Sequence, residues 1–359
     1  MLLVGAAVLT LVLGACSSGP EQPAQAASGW EAIKAAADKE GKLVISVHAG
    51  AGFEEWGRLI QDKFPNWNIS VTSIGPSESV PRILSEQQNG RYLWDLIIGP
   101  NSAVHNGLAP AGALADARPI LADLPDEVRR DEDWHGGFEM FGEPGQGTSF
   151  LNQINMTGGV YVNTKLAPEI TKADDLLKPE YRGKIVAEDL RQPAGATQIV
   201  AALFSAYGQE YVQKLVQQDI KLVANKQVAL EWLADGRAVA AIGPTIDIVD
   251  DYKKLGLGDG IERRNEIGMF GLAQSVNILK NPPHPNATRV FLAYFLSQEG
   301  QDLWAKVSRA DASSRRKDVP RHNDYATDYT TITDKTLVQG SDREGDLLDR
   351  TLEITSKMR

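Results

Sequence analysis

Leu43-Val44-Ile45-Ser46-Val47 is a five-residue, β-branched run that begins just after Gly41 and gives way to an amphipathic pattern over residues 53–64, which Pro65 ends. A short apolar run between a glycine stop and a helical period reads as a buried strand feeding a helix. Working outward, Glu31 to Ala37 is helical on the amino side. On the carboxyl side follow a strand at Ile69–Ile74, a helix from Ser79 to Gln88 and a second buried strand at Trp94–Ile98. Strands joined by helices predict a mainly parallel sheet covered on both faces.

Past residue 98 the texture changes. Gly136-Gly137 and Gly142-Glu143-Pro144-Gly145-Gln146-Gly147 break regularity before the strand Gly159–Asn163, so residues 136–149 are expected to cross between two lobes. A second α/β set follows: strands at 184–187, 221–223 and 238–242, with helices at 197–206, 210–218 and 226–233. Ser275–Leu279 and the helix 287–297 resume the style of the first set. In the tail, Leu347, Leu348, Leu352 and Ile354 recur at near-helical spacing.

The chain has 359 residues, 42% apolar and 23% charged, with 47 Asp+Glu against 37 Lys+Arg and a formal charge of -10. That excludes collagen, coiled coil and wholesale disorder and favours two domains. No basic footprint invites nucleic acid, and none is expected as a partner.

Residues 1–15 carry no charged side chain, and the apolar run they contain is too short to span a bilayer comfortably, so they read as an export signal. Cys16 is the sole cysteine, which rules out an intrachain disulfide. Leu13-Gly14-Ala15-Cys16 resembles the bacterial lipobox, although no Lys or Arg precedes the apolar run. The resemblance implies lipidation of Cys16, and residues 16–28 then form a polar tether with a reach of about 20 Å.

Six segments in order resemble the iron(III)-type branch of the extracellular solute-binding proteins, the capture subunits of ABC importers. They are Gly41–Ile45, Trp94–Gly99, Gly159–Lys165, Asp175–Lys184, Ala206–Tyr211 and Leu296–Gln301. The resemblance implies an α/β, two-lobed periplasmic-binding-protein fold of the type II kind, each lobe a mainly parallel sheet flanked by helices. It implies lobe closure over a small-molecule solute, delivery to ABC importer permease subunits, no catalysis, and a monomer on the outer face of a bacterial membrane or in the periplasm. The expected boundaries are 29–135 plus 272–320 for lobe 1, 136–149 for the crossing, 150–265 for lobe 2, and 321–359 as a tail packing on lobe 1.

Ligand contacts are expected where loops leave strands. Ala49 and Gly50 permit close backbone approach, Ser77, Asn101 and Ser102 offer polar side chains, and Arg82 would pair with an anion if it pointed inward. In the second lobe, Arg191, Thr197, Thr245 and Asp247 stand at equivalent loops, and Tyr161 is the one tyrosine placed in a motif strand. Ferric-binding relatives carry adjacent tyrosines near 245–247, where Ile246 and Asp247 stand here, so an organic or oxyanionic ligand or a metal chelate is expected. No cofactor and no protein-held metal are expected. Direct ferric-iron binding is the alternative within the family, and a secreted α/β enzyme or a surface scaffold the alternative outside it. The enzyme reading has no nucleophile elbow, His-Glu-x-x-His pair or P-loop behind it.

Overall fold

The computed structural model describes residues 27–49, 52–142, 147–156, 158–307, 313–322, 326–332, 336–339 and 342–358. Cys16, Gly50, the apolar run and nearly all of the tether lie outside them. The strands are β1 (Lys42–Val47), β2 (Asn68–Ser73), β3 (Leu96–Pro100), β4 (Ser149–Asn155), β5 (Gly158–Asn163), β6 (Ile185–Glu188), β7 (Lys221–Val223), β8 (Ala240–Thr245), β9 (Ile261–Arg263), β10 (Phe270–Ile278) and β11 (Leu337–Val338). The helices are α1 (Trp30–Glu40), α2 (Phe53–Lys63), α3 (Pro76–Gln88), α4 (Asn101–Leu108), α5 (Arg118–Ala122), α6 (Asp126–Arg129), α7 (Gly195–Val216), α8 (Lys226–Ala234), α9 (Ile246–Lys254), α10 (Pro285–Phe295), α11 (Gln298–Val307) and α12 (Asp342–Thr355).

Two sheets result. The first runs β11-β10-β3-β1-β2 with β4 on the far side of β10, and the second runs β7-β6-β8-β5-β9. β1, β2 and β3 are mutually parallel, as are β6, β7 and β8, each set extended by antiparallel strands. Both faces are covered. In the first lobe Trp56 meets Trp304 edge-on at 5.1 Å within a core that includes Phe291 and Phe295. In the second, alternate residues of β5 feed opposite cores: Val160 and Val162 pack under α7, whereas Tyr161 packs with Leu230 and Val249 under α8 and α9.

Register places the cleft. Pro100, the last residue of β3, pairs with Gln274, and Thr245, the last residue of β8, pairs with Gly158, the first of β5. β4 ends at Asn155 and β5 begins at Gly158, so the carboxyl edges of the parallel strands in both sheets face the same hinge.

The glycine-rich stretch is therefore not the crossing. Gly136 and Gly137, both at φ 81°, turn the chain back onto the first lobe, where Phe138 joins the core and Gly142 N donates to Ser149 O at 2.9 Å. β4, expected in the second lobe, belongs to the first sheet. The expectation for the tail is corrected for its last helix. α12 packs along α7 of the second lobe: Leu347 is buried in that lobe's core, Arg350 lies 4.7 Å from the Phe204 ring, and Thr355 Oγ1 donates to Leu190 O at 2.6 Å. The earlier part of the tail does pack on the first lobe, as expected: β11 pairs with β10, Tyr329 bonds to β4, and Thr327 bonds to Met156 just after it. Within α7 the two helices expected at 197–206 and 210–218 are both present, separated at Gly208, whose φ of 82° and ψ of 173° are not helical.

β4 pairs with β10 on one side, which leaves its other edge needing partners. Arg315, Thr327 and Tyr329 supply three: Arg315 N donates to Asn152 O, the Tyr329 hydroxyl accepts from Ile154 N at 2.9 Å, and the Thr327 hydroxyl accepts from Met156 N at 2.8 Å. The Arg315 guanidinium is fully buried and donates to the carbonyls of His135, Gly137 and Leu151, over the face of Trp134. Burial pulls its pKa down to about 10, so it remains charged at neutral pH. Removing it strands three carbonyls. Arg315→Ala should lower unfolding free energy by about 3 kcal/mol in urea denaturation, and Arg315→Lys, lacking the fork of donors, should recover less than half. A loss below about 1 kcal/mol would contradict this role.

Candidate functional site

The facing carboxyl edges bring together three loops from each lobe. On the first lobe, β1 is followed by His48, whose ring sits 4.5 Å from Phe53 and 6.3 Å from Trp304. Burial lowers the His48 pKa below its ordinary value, opposed in part by a bond to the Ile98 backbone, so the ring is neutral at pH 7. Ala49 follows, exposed. Ser77 stands exposed in the first turn of α3, while Ser79 is buried. Asn101 opens α4, fully buried, with Nδ2 donating to Gln339 O at 3.3 Å and Oδ1 unpartnered; Ser102 beside it is half-buried.

On the second lobe, the loop after β6 lines an open cavity of 430 Å³ with Glu188, Asp189, Arg191, Gln192 and the β7 end at Val223 and Ala224. Arg191 is held by a two-armed contact to Asp189, Nε to Oδ1 and Nη2 to Oδ2, each at 2.8 Å. The pairing lowers the Asp189 pKa and raises that of Arg191. Helix α7 starts here at Gly195. Its first N–H groups have no intrahelical acceptor and carry the positive end of the helix dipole toward this edge.

Several expected contacts fall elsewhere. Arg82 bonds Glu86 at 3.1 Å and stacks 5.0 Å from the ring of Trp94, which precedes β3, so it stands at the end of the sheet away from the cleft. Tyr161 is 2% exposed with an unpartnered hydroxyl, and burial raises its pKa strongly. It is core because strand alternation turns it under α8. Thr197 is fully buried and spends its hydroxyl proton on Gln192 O at 2.6 Å, bracing the Arg191 loop rather than meeting a ligand. Thr245 and Asp247 do reach the edge, half-buried at the start of α9.

Lys226 was not among the expected residues. It is the first residue of α8, half-buried, with Nζ donating to Thr245 Oγ1 at 3.1 Å and forming no ion pair with a described carboxylate. A cation at a helix amino terminus opposes the dipole. That mismatch after the Asn225 cap, which accepts from Val228 N, was the available signal.

The model of the bacterial extracellular solute-binding proteins matches residues 55–331. The chain belongs to that family. No curated protein matches it in sequence. Among solved structures, iron-free FutA2 of Synechocystis PCC6803 is similar with TM-score 0.61 at 14% identity, over 88% of this chain and 98% of that one. FutA (IdiA) of Trichodesmium, in complex with iron and citrate, has TM-score 0.62 at 13% identity, over 89% and 100%. AfuA of Actinobacillus pleuropneumoniae, with fructose-6-phosphate bound, has TM-score 0.52 at 17% identity, over 87% and 98%. At these identities the likeness shows the fold, that of two-lobed periplasmic binding proteins. Within that family fold the opposed carboxyl edges, with their polar loops, are where a solute would be enclosed.

Proposed function

We propose that this solute-binding protein captures a small organic or oxyanionic solute, or a metal chelate through its organic shell, and hands it as a monomer to the permease of an ABC importer without chemical turnover. The observation that carries the ligand class is Lys226: a half-buried side chain whose ammonium donates to Thr245 Oγ1 and has no described carboxylate partner, at the same edge as Arg191 and the open N–H groups of α7. An ammonium whose described partner is a hydroxyl can gain a charge-assisted hydrogen bond from an anion. Arg191, Thr245, Asp247, Asn101, Ser102, Ala49 and Ser77 complete the proposed contacts.

Anchoring is part of the same reading. Lipidation at Cys16 keeps the binding body at the membrane. Cells grown with labelled palmitate should label the protein but not its Cys16→Ala variant; label on the variant would refute the anchor.

Direct ferric binding is the second reading, favoured by what the Trichodesmium neighbour holds. Phenolate ligation needs tyrosines at the cleft, and Tyr161 is enclosed in a core while Tyr211 donates to Ala173 O at 2.7 Å. Among the described residues no three His, Cys, Asp or Glu side chains gather as a metal set. Titration with ferric citrate should therefore give no visible tyrosinate-to-iron band. A strong band that Tyr161→Phe abolishes would return the protein to direct iron binding.

A further inference from the structure

Thr355, the last residue of α12, makes a bond that a helical threonine does not ordinarily make. One turn earlier Thr351 follows the usual pattern, its hydroxyl returned to the Leu347 carbonyl of its own helix at 2.6 Å. The Thr355 hydroxyl has the equivalent acceptor within reach, Thr351 O at 3.0 Å, but the carbonyl of Leu190 stands closer, at 2.6 Å. A hydroxyl has one proton to give, and the shorter contact receives it. The last helix is thereby tied to the loop after β6, 165 residues earlier in sequence.

That loop is tied a second time. Thr197 Oγ1 donates to Gln192 O at 2.6 Å, so the residues on either side of Arg191 each give their carbonyl to a threonine hydroxyl, and both threonines are 0% exposed. Leu190 is itself buried in the second lobe's core, while Glu188, Asp189, Arg191, Gln192 and Ala194 line the cavity of 430 Å³. The loop has a fastened inner side and an open outer one.

Side chain and main chain of Arg191 move together, because its N–H donates to Asp189 Oδ1 at 3.0 Å and its guanidinium grips the same carboxylate with both arms. Fixing the two flanking carbonyls therefore fixes the guanidinium. α12 is a firm support for this: Leu347 is buried in the lobe core and Arg350 lies over the Phe204 ring of α7. A cation ordered before the solute arrives loses less freedom on binding, which favours affinity.

We propose that Thr355 and Thr197 are positioning residues of the solute site: two buried hydroxyls, one from each of two packed helices, hold the carbonyls on either side of Arg191 and so set where its guanidinium stands in the cavity. The last helix then belongs to the binding apparatus although none of its described residues lines that cavity. That the solute meets this cavity rests on the function proposed above; the brace stands on the two bonds alone.

Amide hydrogen exchange of the intact protein reads the brace directly, because the N–H groups of Asp189, Arg191 and Gln192 donate to Val223 O, Asp189 Oδ1 and Asp189 O and are released when the loop loosens. Valine matches threonine in shape and lacks the proton. Thr355→Val and Thr197→Val should each speed exchange at residues 189–192 about tenfold while the amides of β5 and β8 exchange as before, and Thr355→Ser should stay within about twofold of the parent. Calorimetric titration with inorganic phosphate and with citrate reads the consequence: an anion that binds the parent should bind Thr355→Val about tenfold more weakly, with serine restoring the affinity. Unchanged exchange at 189–192 in Thr355→Val, an acceleration spread evenly over the second lobe, or a loosened loop that binds the anion as before would each overturn the proposal. If the parent binds neither anion, the oxyanion reading fails and the exchange result alone decides the brace.

Discussion

A strand that pairs on one side only has to find partners for its other edge, and in this protein that strand is β4, which runs straight into the hinge. The solution is non-local. A segment more than 150 residues later in sequence supplies a main-chain donor, two hydroxyl acceptors and one buried guanidinium, and Arg315 binds the carbonyls of His135, Gly137 and Leu151 at once. Everything on the cleft side follows from holding β4 in that place. Its partner β10 pairs with β3, so the position of Gln274, Pro100 and Asn101 is set by the same strand pair. β4 ends at Asn155 and β5 begins at Gly158, a short step, and Arg263 of the second lobe donates to the Met156 carbonyl there. A short tether between two well-packed bodies suits a hinge that bends at a few residues.

The two edges that meet across this hinge differ in kind. The second lobe offers positive charge, from Lys226, Arg191 and the start of α7, tempered by Asp189. The first offers neutral hydrogen-bonding groups and aromatic rings, with a histidine that burial keeps uncharged. A solute with one charged end and one polar, uncharged end would be oriented by that contrast alone. The tail touches both sides of the arrangement: the Gln339 carbonyl accepts from Asn101, and the Thr355 hydroxyl donates to Leu190, next to Arg191.

Much of the fold was legible because alternation of short β-branched runs with amphipathic helices is a local signal. β1, β2, β3 and the helices between them follow from it. The hinge was not legible for a physical reason. Ser149-Phe150-Leu151-Asn152-Gln153-Ile154-Asn155 has no period-two pattern, because both its faces are buried and the extra residue Asn152 interrupts the alternation, while the glycines at 136 and 137 mark a turn rather than a crossing. The stripe of Leu347, Leu348 and Ile354 announced a packed helix, but periodicity says which face is buried and not against what, so α12 was assigned to the wrong lobe. Site residues suffered the same limit. Tyr161 lies in the expected strand yet points under α8, Thr197 lies in the expected loop yet serves Gln192, and Lys226 gives little local sign, because a lysine on a helix is ordinarily a solvated charge.

The central claim is that two lobes close over a solute held between their carboxyl edges. Small-angle scattering of the full chain, first stripped by gentle denaturation and refolding and then mixed with the compound so released, tests it most directly. The account predicts a smaller radius of gyration and a shorter maximum dimension with the compound present, and the same compound recovered unchanged. Identical scattering with and without a bound compound, or its conversion to a product, would contradict it.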